Sequence, residues 1–263
     1  MRRIYNEDLA YIHNVGFGDF IDSASPGILQ FLHRHGVGSG LVVDLGCGSG
    51  VLAATLVAAG YQVLGVDASA AMIRLARRRV PAAEFVASCA QKVKLPACAA
   101  VTAIGETFNY LTSTSQRSGL RSMFYRVFAA LEPGGVFIFD LAEPVLARAE
   151  NNSISSAKGK DWEILVEKQR DPSGQLLTRR IVAFRKIGSL YRRSEEVHWL
   201  RLYDRSEVMS MLDDAGFSAH VTSRYGHQKL LAGRVGFVAT KSRQVPLCQS
   251  KKKSVQTKHL DAP

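Results

Sequence analysis

The 263-residue chain predicts a single α/β domain, a parallel sheet crossed by helices, with an antiparallel meander inserted after the fifth strand. Three stretches carry that prediction. Leu41–Asp67 (LVVDLGCGSGVLAATLVAAGYQVLGVD) reads as strand, glycine loop, helix, turn and strand, the pattern of a right-handed crossover. Gln116–Asp140 reads as an amphipathic helix, a Pro-Gly-Gly stop and the apolar strand VFIFD. Asp161–Tyr203 alternates as three strands split by DPSG and IGS turns.

In chain order, Glu7–Phe20 and Gly27–His35 are expected as two helical pieces joined through Asp22–Pro26, where serine and proline suit a cap and a first turn. Ile28, Leu29, Phe31 and Leu32 form the apolar face of the second. The first strand, Leu41–Leu45, contains Asp44. Gly46, Gly48 and Gly50 follow; glycine has no Cβ, so a ligand can lie against this backbone. The helix Val51–Ala59 then presents unpaired N–H groups to that ligand. Asp67 closes the second strand, where a carboxylate can accept both hydrogen bonds of a ribose diol.

Ser69 caps the next helix, SAAMIRLARRR, whose C-terminal arginines complement the helix dipole. Glu84–Ala87 is the third strand and Ala99–Ile104 the fourth, across the point where the strand order reverses. Gly105–Tyr110 follows it. After the meander, Asp204-Arg205-Ser206-Glu207 has the form of a capping box before Val208–Ala215. Phe217–Tyr225 and Val235–Thr240 supply the last two strands, and Asn151–Lys160 is read as a loop.

The dinucleotide fingerprint G-x-G-x-x-G needs a glycine where Val51 stands. VVDLGCGSG, with Asp67 closing the next strand, instead resembles the first motif of class I S-adenosylmethionine-dependent methyltransferases. LEPGGVFIFD closely matches that family's helix, PGG and fifth-strand passage, so the resemblance covers Leu41–Asp140. It implies a Rossmann-like, seven-stranded methyltransferase sheet with helices on both faces, completed by an antiparallel hairpin. S-adenosylmethionine is the implied cofactor, with contacts expected from Asp44, Gly46, Cys47, Gly48, Asp67, Ala68, Met72, Ser88, Cys89, Gly105 and Glu106. Ser88 and Cys89 would lie over the adenine. Many relatives carry an aspartate near there, and none stands here, so a hydroxyl or backbone would make that contact. The N/D-P-P-Y/F motif of nucleic-acid amino-methyltransferases is absent.

The acceptor side is less defined. Glu106, Asn109 and Tyr110 are candidates for substrate contacts or for stabilising a turn, and Glu106 for steadying a cationic cofactor or taking a proton. Residues 1–36 resemble the family's partial lid, so Tyr11, His13 and Phe17 would touch ligand or pack on the core. The insertion, residues 151–203, resembles the small sheet that bacterial small-molecule methyltransferases place over the active site. His198 within it is a candidate base or a packing residue. The catalytic candidates are thus Glu106, Tyr110 and His198, and the substrate candidates Tyr11, Phe17 and Asn109.

Composition limits the alternatives. The uncharged stretch between Asp44 and Asp67 is broken by glycines and Gln62, which argues against a membrane span. The N-terminus mixes charges without an apolar core, unlike a secretory signal. Cys47, Cys89, Cys98 and Cys248 show neither metal-ligand nor paired spacing, which suits a reducing cytoplasm, and no metal is expected. Of the net charge of +11, residues 241–263 hold six basic side chains against Asp261, a surplus of five. That tail is expected to be disordered and solvated, with residues 1–240 as the methyltransferase domain. A small-molecule acceptor is therefore preferred over RNA or protein. A nicotinamide-dependent oxidoreductase and a non-catalytic cofactor-binding module are the remaining rivals.

Overall fold

A computed structural model describes residues 4–110, 116–144 and 153–243, without the side chains of 116–118. The parallel half of the sheet is built from β1 (Leu41–Leu45), β2 (Gln62–Asp67), β3 (Glu84–Ala87), β4 (Cys98–Ala103) and β5 (Leu131–Ala142). Helices α3 (Val51–Ala58), α4 (Ala70–Arg79) and α5 (Gln116–Ala130) cross between them. Before them run α1 (Glu7–Gly16) and α2 (Asp19–Arg34). Four strands form the insertion: β6 (Ser153–Lys158), β7 (Trp162–Arg170), β8 (Leu176–Ile187) and β9 (Leu190–Arg201). The chain closes with α6 (Arg205–Asp214), β10 (Phe217–Thr222), the short pair β11 (Arg224–Tyr225) and β12 (Gln228–Lys229), and β13 (Arg234–Lys241).

The seven-stranded sheet has the order β10-β13-β5-β4-β1-β2-β3, with β13 antiparallel to both neighbours. Its strands are apolar on both faces because helices cover both. In β5, Phe137, Phe139 and Leu141 point to one core with Phe108, Phe124 and Phe237, while Val136 and Ile138 point to another with Ile28, Leu56 and Tyr225. The order reverses between β1 and β4, which opens a crevice at their carboxyl ends.

The insertion is a separate antiparallel sheet, β6-β7-β8-β9. Trp162, Ile164 and Ala183 pack on Ile12 of α1, and Leu177 and Leu200 pack on Ala142 at the end of β5. It therefore stands over the crevice. Among the described residues no helix is long and apolar enough to cross a membrane.

Several local expectations are corrected. The break between the first two helices falls at Phe17–Gly18, and α2 runs through Pro26. The Ser25 hydroxyl donates to the Ile21 carbonyl within the helix, and Gly27 lets α2 touch the backbone of Tyr225 and Gly226, where a Cβ would overlap both. In the expected loop, Ser153–Lys158 is an edge strand paired with β7, its polar sequence stabilised by ladder bonds rather than by burial; residues 151 and 152 lie outside the described residues. Asp204 caps α6 in position, without a side-chain cap bond. Lys241 belongs to β13, and its ammonium donates to the carbonyls of Phe128 and Leu131. Residues 244–263, the rest of the expected tail, lie outside the described residues.

Candidate active site

The crevice holds a cavity of about 520 Å³, within the range of small-ligand sites. The eleven residues expected to hold a cofactor, Asp44, Gly46, Cys47, Gly48, Asp67, Ala68, Met72, Ser88, Cys89, Gly105 and Glu106, all lie on its wall. The glycine loop explains the lower half. Gly46 passes so close to Thr107 that a Cβ would overlap its side chain. Gly48 adopts φ +53° and donates its N–H to Asp67 Oδ2 at 3.0 Å, while the space above its Cα is open. Gly50 caps α3 without a side-chain bond, leaving the helix's first N–H groups facing the loop.

Asp67 Oδ1 accepts the Ser69 N–H at 2.8 Å. Each of its oxygens keeps a free lone pair for a ligand hydroxyl. Burial pushes its pKa up against those two N–H groups. Asp44 accepts the Thr102 hydroxyl at 2.7 Å, and burial raises its carboxyl to about 7. Open space over Gly48, spare acceptor capacity on Asp67 and apolar walls at Met72 and Ala90 fit an adenosine-bearing ligand such as S-adenosylmethionine.

The upper half is closed by Tyr5, His13 and Phe17 from the N-terminal segment, Tyr110, Arg179 from β8, and Leu231 and Arg234 near the start of β13. Glu106 sits among them at φ +64°. Its carboxylate accepts Arg179 Nη1 at 2.8 Å and Nη2 at 3.4 Å, and also Arg234 Nε. Burial alone would raise its pKa, but the two guanidiniums outweigh it and hold the carboxyl below its ordinary value. Glu106 is therefore a fixed anion, poorly suited to take a proton.

Tyr110 faces the cavity, its hydroxyl 3.3 Å from that of Tyr5. Burial pushes both phenols up, so both are neutral donors. Phe17 lines the cavity beside Trp162. His13 lines it too, and burial lowers its imidazole to about 4.

Three candidates are placed elsewhere. Asn109 is fully buried and bonds the Ala142 N–H and the carbonyls of Ala142 and Arg201, so it ties the 107–110 turn to β5 and β9. Tyr11 donates to Asp161 at 2.6 Å, with Arg185 over its ring. His198 is buried behind the rings of Tyr5 and Tyr110, with Nε2 2.9 Å from Glu196. It does not reach the cavity wall.

Tyr5, Arg179, Leu231 and Arg234 were not among the sequence candidates. Arg179 had a readable signal: it stands in phase with buried Leu177, Ile181 and Ala183 on β8, an arginine on an inward face. The others are brought in by chain segments distant in sequence and carry no local pattern.

Residues 42–135 match a family model described as a methyltransferase domain. A Bacillus subtilis (strain 168) protein named as a methyltransferase, YqeM, is 25% identical over 215 residues, 78% of this chain and 86% of that protein. Among solved structures, an S-adenosylmethionine-dependent methyltransferase from Clostridium acetobutylicum ATCC 824 superposes with a TM-score of 0.76 at 20% identity, over 89% of this chain and 97% of that one. The sugar N-methyltransferase KedS8 from Streptoalloteichus sp ATCC 53650 gives 0.73 at 19% identity, over 92% and 94%. Joined to the glycine loop, the Asp67 acceptor and the strand order, these matches give residues 42–135 a methyltransferase domain and the chain the fold of class I S-adenosylmethionine-dependent methyltransferases.

Proposed function

We propose that the enzyme methylates nitrogen or oxygen of a small molecule held in the upper half of the cavity. The observation that carries this reading is the roof: Tyr5, Phe17, Tyr110, Arg179 and Leu231, from four separate parts of the chain, close over the upper half of the cavity. A polymer would need an open groove there. The likeness to KedS8, whose name describes a sugar N-methyltransferase, supports a small acceptor.

When bound, S-adenosylmethionine supplies a methyl group already activated on a positively charged sulfur. The protein then needs no nucleophile of its own; it must align the acceptor and exclude water. In this reading Asp67 and the Gly48 backbone hold the ribose end, and Ser88 and Cys89 lie beside the adenine. Phe17 and Leu231 keep water out. Tyr5 and Tyr110 donate hydrogen bonds to the acceptor, and His198 with Glu196 sets the position of those two rings. The unpaired thiols of Cys47, Cys89 and Cys98 support a cytoplasmic enzyme.

Purified enzyme incubated with S-adenosylmethionine and a metabolite panel should form S-adenosylhomocysteine with at least one small acceptor. Absence of S-adenosylmethionine binding by calorimetry would sink the reading.

A further inference from the structure

We propose that the methyl acceptor is an anionic small molecule whose carboxylate or phosphate sits on Arg179 and Arg234, with Glu106 as a built-in counter-ion that leaves part of their donors unused. The proposal rests on the cavity being the methyl-transfer site and names the class of molecule that enters it.

Arg179 and Arg234 share the Glu106 carboxylate, with Asp140 behind it, and the remaining wall there, Tyr5, His13, Phe17, Tyr110 and Leu231, is uncharged. Both guanidiniums are largely withdrawn from water, their side chains 13% and 22% exposed. Guanidinium donors in such a place are costly to leave unpaired. Glu106 cannot adjust, because its backbone is clamped by Asp140. A structural brace joining the 105–110 turn to the insertion would need only one arginine.

The donors are also incompletely used. Arg179 spends both terminal nitrogens on Glu106, and its buried Nε has no partner. Arg234 spends Nε on Glu106, and its two terminal nitrogens have no hydrogen-bond partner among the described residues. A planar pair of N–H donors at the wall of a cavity matches the two oxygens of a carboxylate or phosphate. The hydroxyls of Tyr5 and Tyr110 add neutral donors beside it.

The test titrates full-length enzyme, saturated with S-adenosylhomocysteine, with succinate, inorganic phosphate and neutral succinamide by calorimetry. Succinate or phosphate should bind and succinamide should not; the tighter anion identifies the acid group. Arg234→Gln should weaken that binding at least about tenfold with S-adenosylhomocysteine affinity unchanged, and Arg234→Lys should recover part of it. Glu106→Gln, which removes the internal competitor, should tighten anion binding several-fold. Wild-type and Glu106→Gln enzymes that bind S-adenosylhomocysteine but neither anion would overturn the proposal. So would loss of S-adenosylhomocysteine affinity in Arg234→Gln, because the arginine would then serve the cofactor's own carboxylate. An enzyme that binds neither S-adenosylmethionine nor S-adenosylhomocysteine overturns the underlying reading and this one with it.

Discussion

The backbone N–H of Glu106 donates to the Asp140 carboxylate at 2.7 Å, and that bond holds a non-glycine residue at φ +64°. Such a conformation costs on the order of 1–3 kcal/mol and persists only when its surroundings enforce it. Asp140 also accepts the Gly105 N–H at 3.1 Å and the Tyr225 hydroxyl at 3.2 Å, so the end of β5 shapes the turn that aims Glu106 at Arg179 and Arg234. Asp140→Ala should leave those donors buried and unpaired and lower stability by roughly 2–4 kcal/mol in denaturant titration. Acceptor turnover should fall further than cofactor affinity. A variant with wild-type stability would mean that water replaces the carboxylate.

Asp67 is the corresponding anchor in the lower half, tied to the Gly48 and Ser69 N–H groups. Asp67→Ala removes the acceptor facing the cavity and both of those bonds. Binding of S-adenosylmethionine should weaken by about 1–3 kcal/mol in calorimetry. Unchanged affinity would detach Asp67 from the cofactor.

The lower half was legible because its parts are contiguous. Strand, glycine loop, helix and closing acid occupy one short run, so local pattern and spacing place Asp44, Gly46, Gly48 and Asp67 together before any long-range contact is known. The seven-stranded sheet was implied by a resemblance that VVDLGCGSG and LEPGGVFIFD carry, and each of these is again one contiguous run. The upper half is assembled from residues far apart in sequence. Asn109 reads equally as a substrate contact or a turn stabiliser until the carbonyls of Ala142 and Arg201 are brought to it and select the second. Tyr11 and His198 stand off the cavity wall, where Asp161 accepts the Tyr11 hydroxyl and Glu196 engages Nε2 of His198, both partners lying on the insertion. The β6 strand was hidden by its serines, since an edge strand can form from ladder bonds with little apolar sequence.

Glu196 fastens the N-terminal segment to the insertion. Its carboxylate accepts the backbone N–H groups of Tyr5 at 2.7 Å and Asn6 at 2.8 Å, together with His198. Glu196→Ala should free that segment. Amide hydrogens of Tyr5 and Asn6 should lose protection in hydrogen exchange, with the sheet core unaffected. Cofactor release should quicken if Tyr5 helps to close the cavity. Unaltered protection at both amides would show that Ser69, which donates to the Tyr5 carbonyl at 2.6 Å, suffices to hold it.

Gly27 sits where α2 meets the backbone of Tyr225 and Gly226, and the atoms in the way are main chain. Gly27→Ala gains helix propensity of about 1 kcal/mol. The overlap should exceed that gain, because backbone cannot yield as a side chain can, so the net change should be a loss of about 1–3 kcal/mol. A raised thermal midpoint would show that α2 can shift away from the hairpin.

Asp44 gives a prediction in pH. Its carboxyl titrates near 7 in the folded protein because burial penalises the charge, whereas in an unfolded chain it titrates near 3.9. Between those values the folded state holds a proton that the unfolded state has released. Stability from this group is therefore complete below about pH 4 and is lost as pH rises through about 7. Asp140, raised to about 6 by burial, acts with the same sign. Asp44→Asn keeps the shape and removes the titration, so the decline in unfolding free energy between pH 4 and 7 should become shallower by at most about 4 kcal/mol. The residual slope should still contain the Asp140 contribution. Urea titrations of both proteins across that range measure the difference. Parallel curves would show that Asp44 is ionised in the folded enzyme throughout.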